Sequence, residues 1–233
     1  MIVMRISMPD RRGMLAAVAA TLSDAGADIV TIDVVHRGDG VVVDNLCLDV
    51  DPSTTVAELR RHVEVVAGVV VEVVRHVDAP LSPVDALELA AALSGEGADP
   101  LAVLVEGLPR ALNAEWAMAL AAGDDGVRLL CASARAPAPP TGEVPWLPLA
   151  SPRRLAVAPW MPTSWRLRSM VAGGLEIAAS PLAGDREAVA VARDNGRFRP
   201  AELRQLTVLS QLAVRERAAR DPVLVSGGPP STP

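Results

Sequence analysis

Hydrophobic and polar positions divide the first third of the chain into six predicted elements. Apolar alternation and β-branched residues predict the strands, and apolar residues three or four positions apart predict the helices. A hairpin signal, Arg37-Gly38-Asp39-Gly40, joins the two central strands, and the order is that of the ferredoxin-like βαββαβ fold. The predicted elements are Ile2–Met8, Gly13–Ala25, Ile29–His36, Val41–Val50, Val56–Val66 and Val69–Val74.

The remaining two thirds of the chain show a different order of predicted elements: two helices, five strands and a long last helix. Prolines cluster between Ala134 and Ser164, which predicts a loop, and the tryptophans in or beside it predict packing over the sheet. The predicted elements are Val84–Leu93, Asp99–Leu112, Glu115–Ala121, Val127–Ala134, Arg154–Ala158, Leu175–Ala179, Ala188–Arg193 and Arg199–Arg220. We therefore predict an α+β protein with domains at 1–77 and 84–220, a linker at 78–83 and a disordered tail at 221–233.

Composition narrows the classes of partner. Half of the residues are hydrophobic and the formal net charge is −6, which argues against general affinity for nucleic acid or anionic membranes. Cys47 and Cys131 fall in predicted strands and are expected to be partly buried thiols without a disulfide. The longest apolar run, Val65–Val71, is too short to span a bilayer, and charges interrupt any N-terminal signal sequence. We expect a cytoplasmic protein.

Catalytic and metal-binding patterns are not found in the sequence. There is no phosphate-binding loop, dinucleotide fingerprint or nucleophile-elbow motif, and His36, His62 and His76 are separated from one another and from the cysteines. We expect neither a metal nor a cofactor, and no enzymatic activity. An enzyme with an unrecognised site within residues 115–180 is the alternative.

The turn between the first strand and the first helix carries the most informative chemistry. Asp10 can accept from an ammonium group, and the N–H groups that begin a helix can bind a carboxylate. Gly13 lets a ligand approach the backbone closely. Each residue also has a structural interpretation: Asp10 as a helix cap, Gly13 as a turn glycine, and Arg11 and Arg12 as solvent-exposed side chains.

This turn also carries a family resemblance. Met8-Pro9-Asp10-Arg11-Arg12-Gly13-Met14-Leu15, followed by Ala25-Gly26-Ala27-Asp28-Ile29, resembles the ACT domain over about residues 1–77. ACT domains are regulatory modules, many of which bind amino acids between the turn of one copy and the second strand of another. The resemblance implies a homodimer and a ligand site at Asp10, Arg11, Arg12, Gly13, Met14, Leu15, Asp28 and Ile29.

The two acids depart from the pattern of the family. Many ligand-binding ACT domains carry Asn where this chain has Asp10 and Asp28. A carboxylate accepts from an ammonium group but cannot donate to a ligand carboxylate, so a different mode of binding is implied. Asp28 is otherwise a residue of the turn that leaves the helix.

The second half resembles a GAF domain. The resemblance lies in the element order and in Asn195-Gly196-Arg197-Phe198-Arg199-Pro200-Ala201-Glu202-Leu203, which opens the last helix. It implies a sensor or dimerisation module of unspecified ligand. Glu115, Trp116 and Trp165 are candidates for lining a pocket, although core packing is the favoured interpretation.

Together these features predict a non-catalytic sensor. An amino acid or related metabolite would bind at an ACT dimer interface, and the second domain would transmit the signal to a regulated protein. The alternative is an interaction scaffold that binds no small ligand.

Overall fold

A computed structural model describes residues 1–77, 84–142, 144–156, 158–159, 161–163, 165–166, 174–194 and 196–220. The predicted linker at 78–83 and tail at 221–233 lie outside the described residues, and the domain boundaries stay a prediction. The elements of the N-terminal unit are β1 (Ile2–Pro9), α1 (Met14–Asp24), β2 (Ala27–Gly38), β3 (Val41–Val50), α2 (Val56–Glu64) and β4 (Val70–His76).

The N-terminal unit is an antiparallel sheet in the order β2-β3-β1-β4, with β2 and β4 at its edges. Its predicted ferredoxin-like order is confirmed. Asp39 and Gly40 both have positive φ, and Gly38 pairs with Val41, so the β2–β3 hairpin closes through a two-residue type I′ turn. Alternate residues of β1 point towards α1 and α2 and form a core with Val18, Leu22, Leu59 and Val63.

The C-terminal unit has its helices before and after a second antiparallel sheet. Its elements are α3 (Val84–Leu93), α4 (Pro100–Ala111), β5 (Trp116–Gly123), β6 (Gly126–Ala132), β7 (Arg153–Leu155), β8 (Leu175–Pro181), β9 (Glu187–Asp194) and α5 (Pro200–Arg220). The strand order is β6-β5-β9-β8-β7. One face packs against the three helices and the other against the proline-rich loop, so the α+β class holds for both units.

The two units meet at the helix-free face of the first sheet. Arg5, in the middle of β1, is 2% exposed and reaches Glu202 in the first turn of α5. The C-terminal unit therefore covers part of this face, and the β2 edge keeps exposed apolar side chains at Val30, Ile32 and Val34.

Candidate functional site

The turn after β1 is built as a tight entry to α1. Arg11 N donates to Pro9 O at 2.8 Å, and Asp10 N donates to Gly40 O at 2.8 Å, so the turn is attached to the β2–β3 hairpin. Gly13 is the residue before the helix and has φ 86°, a left-handed conformation that favours glycine. Its predicted role as a turn glycine is confirmed.

No side chain caps α1, so the prediction that Asp10 caps the helix is wrong. The helix begins at Met14, one residue later than expected, and Asp10 lies four positions before it. The first N–H groups of a helix have no partner within the helix. The N-terminus of α1 therefore presents donors next to the turn, as expected for a carboxylate ligand.

Asp10 is instead held by Arg37, at the end of β2. Arg37 Nε donates to Asp10 Oδ2 at 2.9 Å, and Nη2 donates to Oδ1 at 3.0 Å, a two-point contact between guanidinium and carboxylate. These hydrogen bonds hold the pKa of Asp10 below its ordinary value and raise that of Arg37. The side chain of Arg37 is 71% exposed and faces solvent beside the turn.

Arg37 is the member of the site that sequence reasoning missed. It is 27 residues from Asp10, and nothing near it in the sequence indicates an ion pair. The predicted strand order contains the signal, because β3 lies beside β1 and the β2–β3 hairpin must then reach the end of β1.

The remaining predicted residues are accessible but do not all come together. Arg11, Arg12 and Asp28 are exposed, while Met14, Leu15 and Ile29 are half-buried. Pro9 pairs with Val41, and Asp28 pairs with Asp49. Eight residue steps along β3 separate these two pairs, or about 26 Å, so the turn and Asp28 lie at opposite ends of one sheet.

A second group of charged residues joins the two units. Glu202 accepts from Arg5 Nη2 at 2.9 Å, from Arg193 Nη1 and Nη2 at 2.6 and 2.9 Å, and from Arg199 N at 2.8 Å. Burial raises the pKa of Glu202, but the hydrogen bonds and charges of Arg193 and Arg5 outweigh it, and the pKa is lowered overall. The carboxylate is therefore ionised and acts as the counterion of two buried guanidinium groups.

Arg193 is further fixed by three carbonyl groups and by an aromatic ring. It donates to the carbonyl oxygens of Leu112, Gly196 and Arg197, and its guanidinium lies 4.0 Å from the centre of the Phe198 ring. At the same junction, Arg199 pairs with Glu72 of β4. The sequence places Phe198, Arg199 and Glu202 in the segment that opens the last helix, but it does not indicate these ion pairs.

One buried acid of the N-terminal unit, Asp44, has no comparable set of hydrogen bonds and opposite charges in the part of the chain that the structure describes. Asp44 on β3 is 1% exposed, and its Oδ1 has no hydrogen-bond partner among the described residues. Burial raises its pKa, and the nearby charge of Asp33 raises it further. Asp44 is therefore a point where the core carries an electrostatic cost.

Of the three candidate pocket residues of the C-terminal unit, Trp116 and Trp165 are core residues and Glu115 is half-buried. Trp116 and Trp165 are 0% and 1% exposed, and their ring centres lie 4.9 Å apart. They belong to the cluster that fills the face of the sheet opposite the helices, together with Trp146 from the proline-rich loop. This supports the core-packing interpretation and explains why the proline-rich loop lies against the sheet.

Metal-binding groupings and membrane helices were sought throughout the described residues. In that part of the chain no three His, Cys, Asp or Glu side chains are placed to hold a metal ion, and none of its helices could cross a membrane. Cys47 is buried, Cys131 is half-buried, and both are free thiols. Burial raises the pKa of Cys131 to about 11, so it is an unreactive thiol at neutral pH.

Comparisons with known proteins find one matching family model and several similar solved structures. Residues 2–66 match the family model of the ACT domain. Comparison with curated proteins finds no match for the chain. Similar solved structures include the GAF domain of a putative sensor histidine kinase from Pseudomonas syringae pv. tomato, at 13% identity and a TM-score of 0.43, covering 59% of this chain and 85% of that one.

Two further solved structures are also similar to parts of the chain. The GAF domain of A. Aeolicus nlh2, in an inactive state, is 12% identical with a TM-score of 0.44, and the match covers 59% of this chain and 95% of that one. A formyltetrahydrofolate deformylase from Pseudomonas putida KT2440 is 11% identical with a TM-score of 0.29; the match covers 38% of this chain and 35% of the deformylase. An ACT domain indicates a regulatory, ligand-sensing protein. Residues 2–66 of this chain form an ACT domain, and an α+β unit similar to GAF domains follows it.

Proposed function

We propose that this chain is a non-catalytic regulatory protein that senses an amino acid or a closely related small zwitterion through its ACT domain. The observation that carries the proposal is the turn before α1. Its uncapped helix N-terminus, left-handed Gly13 and exposed Arg37 lie together at one end of the sheet, beside the β2 edge.

Pairing of two copies along β2 would complete this site. If two edge strands pair antiparallel about a two-fold axis, the start of the partner's β2 lies beside the end of the first β2. That places a second copy of Asp28 and Ile29 next to the turn, although they are about 26 Å away within one chain. The exposed apolar side chains of β2 support such a homodimer, because long apolar edge strands are seldom left uncovered.

Arg37 supplies the donor that the two acids lack. A ligand carboxylate would bind the N–H groups at the start of α1 and the Arg37 guanidinium. The ligand ammonium would bind the carboxylates of Asp10 and of the second copy of Asp28. This arrangement accommodates Asp at both positions.

The C-terminal unit would transmit the signal to a regulated protein. It contacts the helix-free face of the ACT sheet through the buried ion pair of Arg5 and Glu202, so a change in the sheet would reach α5 directly. Ligand binding would then favour one arrangement of the two units over another.

Thermal unfolding in the presence of each of the twenty amino acids tests ligand sensing. A ligand present at one hundred times its dissociation constant is expected to add about 2.7 kcal/mol to the free energy of unfolding. Asp10→Ala and Asp28→Ala should each weaken the response and leave the fold intact. Asp125→Ala, which removes an exposed acid in the β5–β6 turn, is the matched control and should respond like the parent.

Analytical ultracentrifugation tests the dimer. Ile32→Lys places a charge on the β2 edge, where Ile32 is 40% exposed, and should give a folded monomer that no longer responds to ligand. A dimer that no amino acid stabilises would overturn the sensing role and leave the scaffold alternative. A response that survives both Asp10→Ala and Asp28→Ala would place the ligand elsewhere.

A further inference from the structure

A small cleft lies between the two units, away from the turn before α1. Its volume is about 130 Å³, below the range of about 300–1,000 Å³ typical of pockets for drug-sized ligands. Asp33 and Asn45 line it from the ACT sheet, and Asp85, Arg110, Asn113 and Gln205 line it from the C-terminal unit. A ligand there would contact both units of a single chain.

The ACT wall presents one donor group in a fixed orientation. Arg5 Nε donates to Asn45 Oδ1 at 2.8 Å, so the oxygen of this amide faces Arg5. Asn45 is only 6% exposed, and its amide nitrogen is the atom left to face the cleft. Because Arg5 is itself held by Glu202, this orientation is part of the ion network.

The same wall carries a carboxylate without a counterion. Asp33 forms no ion pair with any residue that the structure describes, since the nearby Arg5 donates to Asn45, Glu202 and the carbonyl of Arg197. Desolvation raises the pKa of Asp33, the charge of Glu202 adds to this effect, and the charge of Arg5 offsets part of it. A ligand cation at the mouth of the cleft would remove that electrostatic cost.

The opposite wall offers both acceptors and a cation. Asn113 has φ 50°, and its buried Oδ1 has no hydrogen-bond partner in the described part of the chain. Gln205 Nε2 donates to Ala111 O at 3.2 Å, which leaves its Oε1 as an acceptor. Arg110 Nε donates to Asp85 Oδ1 at 2.8 Å, and its side chain remains 63% exposed, so its terminal nitrogens are accessible.

We propose that this cleft binds a second small zwitterion, a free amino acid with a short side chain, independently of the ACT dimer interface. Its ammonium group binds Asp33 and Oε1 of Gln205. Its carboxylate binds Arg110 and the amide nitrogen of Asn45. Such a ligand fixes the ACT sheet against α5, so this site goes beyond the function proposed above.

Isothermal titration calorimetry of the full chain with glycine, L-alanine and L-serine tests the proposal. Methylammonium and acetate, each carrying one of the two charges, serve as half-ligands and should not bind measurably. Asp33→Asn should weaken binding by about tenfold or more, because a hydrogen bond between two charged groups is lost. Asp49→Asn removes an exposed acid from the same face of the sheet, outside the cleft, and should bind as the parent does.

A second variant covers the possibility that Asp33→Asn disturbs the sheet. Ala201→Leu, in the first turn of α5, fills the cleft without changing its charges and should also abolish binding. The proposal is overturned if none of the three amino acids binds, if the half-ligands bind as tightly as the zwitterions, or if both cleft variants bind like the parent.

These variants distinguish the cleft from the site at the ACT interface. Loss of binding in Asp28→Ala with full binding in Asp33→Asn and Ala201→Leu supports the ACT interface and overturns the cleft. The reverse result supports the cleft and overturns the ACT interface.

Discussion

Replacement of Glu202 by alanine is expected to destabilise the whole chain. Glu202 is 8% exposed, and it is the carboxylate that Arg5 and Arg193 share at 2.6–2.9 Å. Removing it leaves two buried guanidinium groups without this counterion, a change that typically costs about 3–5 kcal/mol. Since single-domain stabilities are about 5–15 kcal/mol, the loss is a large fraction of the total.

The contacts that remain in Glu202→Ala place the expected loss of stability at the lower end of that range. Arg193 keeps three carbonyl acceptors, and Arg5 keeps Asn45 and the carbonyl of Arg197. These groups stabilise the positive charges in part, so we expect a loss of about 3 kcal/mol. If the free energy of unfolding falls by about 2–3 kcal/mol per molar urea, the urea concentration at the midpoint of unfolding should fall by about 1–1.5 M.

Two spectroscopic signals separate the two units in this experiment. All four tryptophans follow residue 115, so fluorescence reports the C-terminal unit, whereas far-ultraviolet circular dichroism reports both. In the parent the two transitions should coincide. In Glu202→Ala they should separate, because the buried Arg5–Glu202 ion pair that joins the units is lost.

A matched control removes a carboxylate from the same helix. Glu216 accepts from Ser94 Oγ at 3.3 Å near the end of α5, and Glu216→Ala should shift the midpoint only slightly. A loss below about 1 kcal/mol in Glu202→Ala, with coincident transitions, would refute the reasoning. It would mean that the buried arginines are compensated without Glu202.

The other predictions concern backbone geometry and a buried acid. Gly13→Ala is expected to cost about 1–2 kcal/mol from its positive φ alone, because nothing lies within 4 Å of the added Cβ. Gly196→Ala should cost more, since its Cβ would lie 2.8 Å from Val73 Cγ2 across the junction; equal losses in urea unfolding would contradict this. The raised pKa of Asp44 means that its proton binds more tightly in the folded state, so stability increases as pH falls through that pKa. Asp44→Asn should therefore be at least as stable as the parent at pH 8 and lose that advantage towards pH 4. Melting temperatures of the two proteins across this pH range check the prediction. An advantage of Asp44→Asn that grows as the pH falls would contradict it.

The sequence predicts most of the fold because its hydrophobic spacing is local. The predicted range Val41–Val50 matches β3, and Val84–Leu93 matches α3. The start of α1 moves from Gly13 to Met14 because the left-handed Gly13 cannot begin the helix. Strand order follows once the βαββαβ pattern is recognised.

The site is less predictable because its contacts are remote along the chain. Arg5 and Glu202 are 197 residues apart, and although Glu202 lies in the segment that carries the GAF resemblance, nothing in that segment indicates Arg5 as its partner. One signal is present: Arg5 is the charged residue of a mostly apolar strand, and a buried charge requires a partner. The sequence does not identify which of its acids is that partner, since the choice depends on how the two units dock.

The first turn of α5 has a mechanical consequence. Glu202 accepts the N–H of Arg199 and so begins the same helix that it joins to the ACT sheet. That helix runs 21 residues, about 31 Å, to Arg220. The guanidinium of Arg220 contacts the carbonyls of Leu93, at the end of α3, and of Gly95 and Ala98, in the segment that follows. α5 thus connects the ACT sheet at one end with the far side of the C-terminal unit at the other, and under the proposed function a displacement of the sheet would be transmitted along this helix.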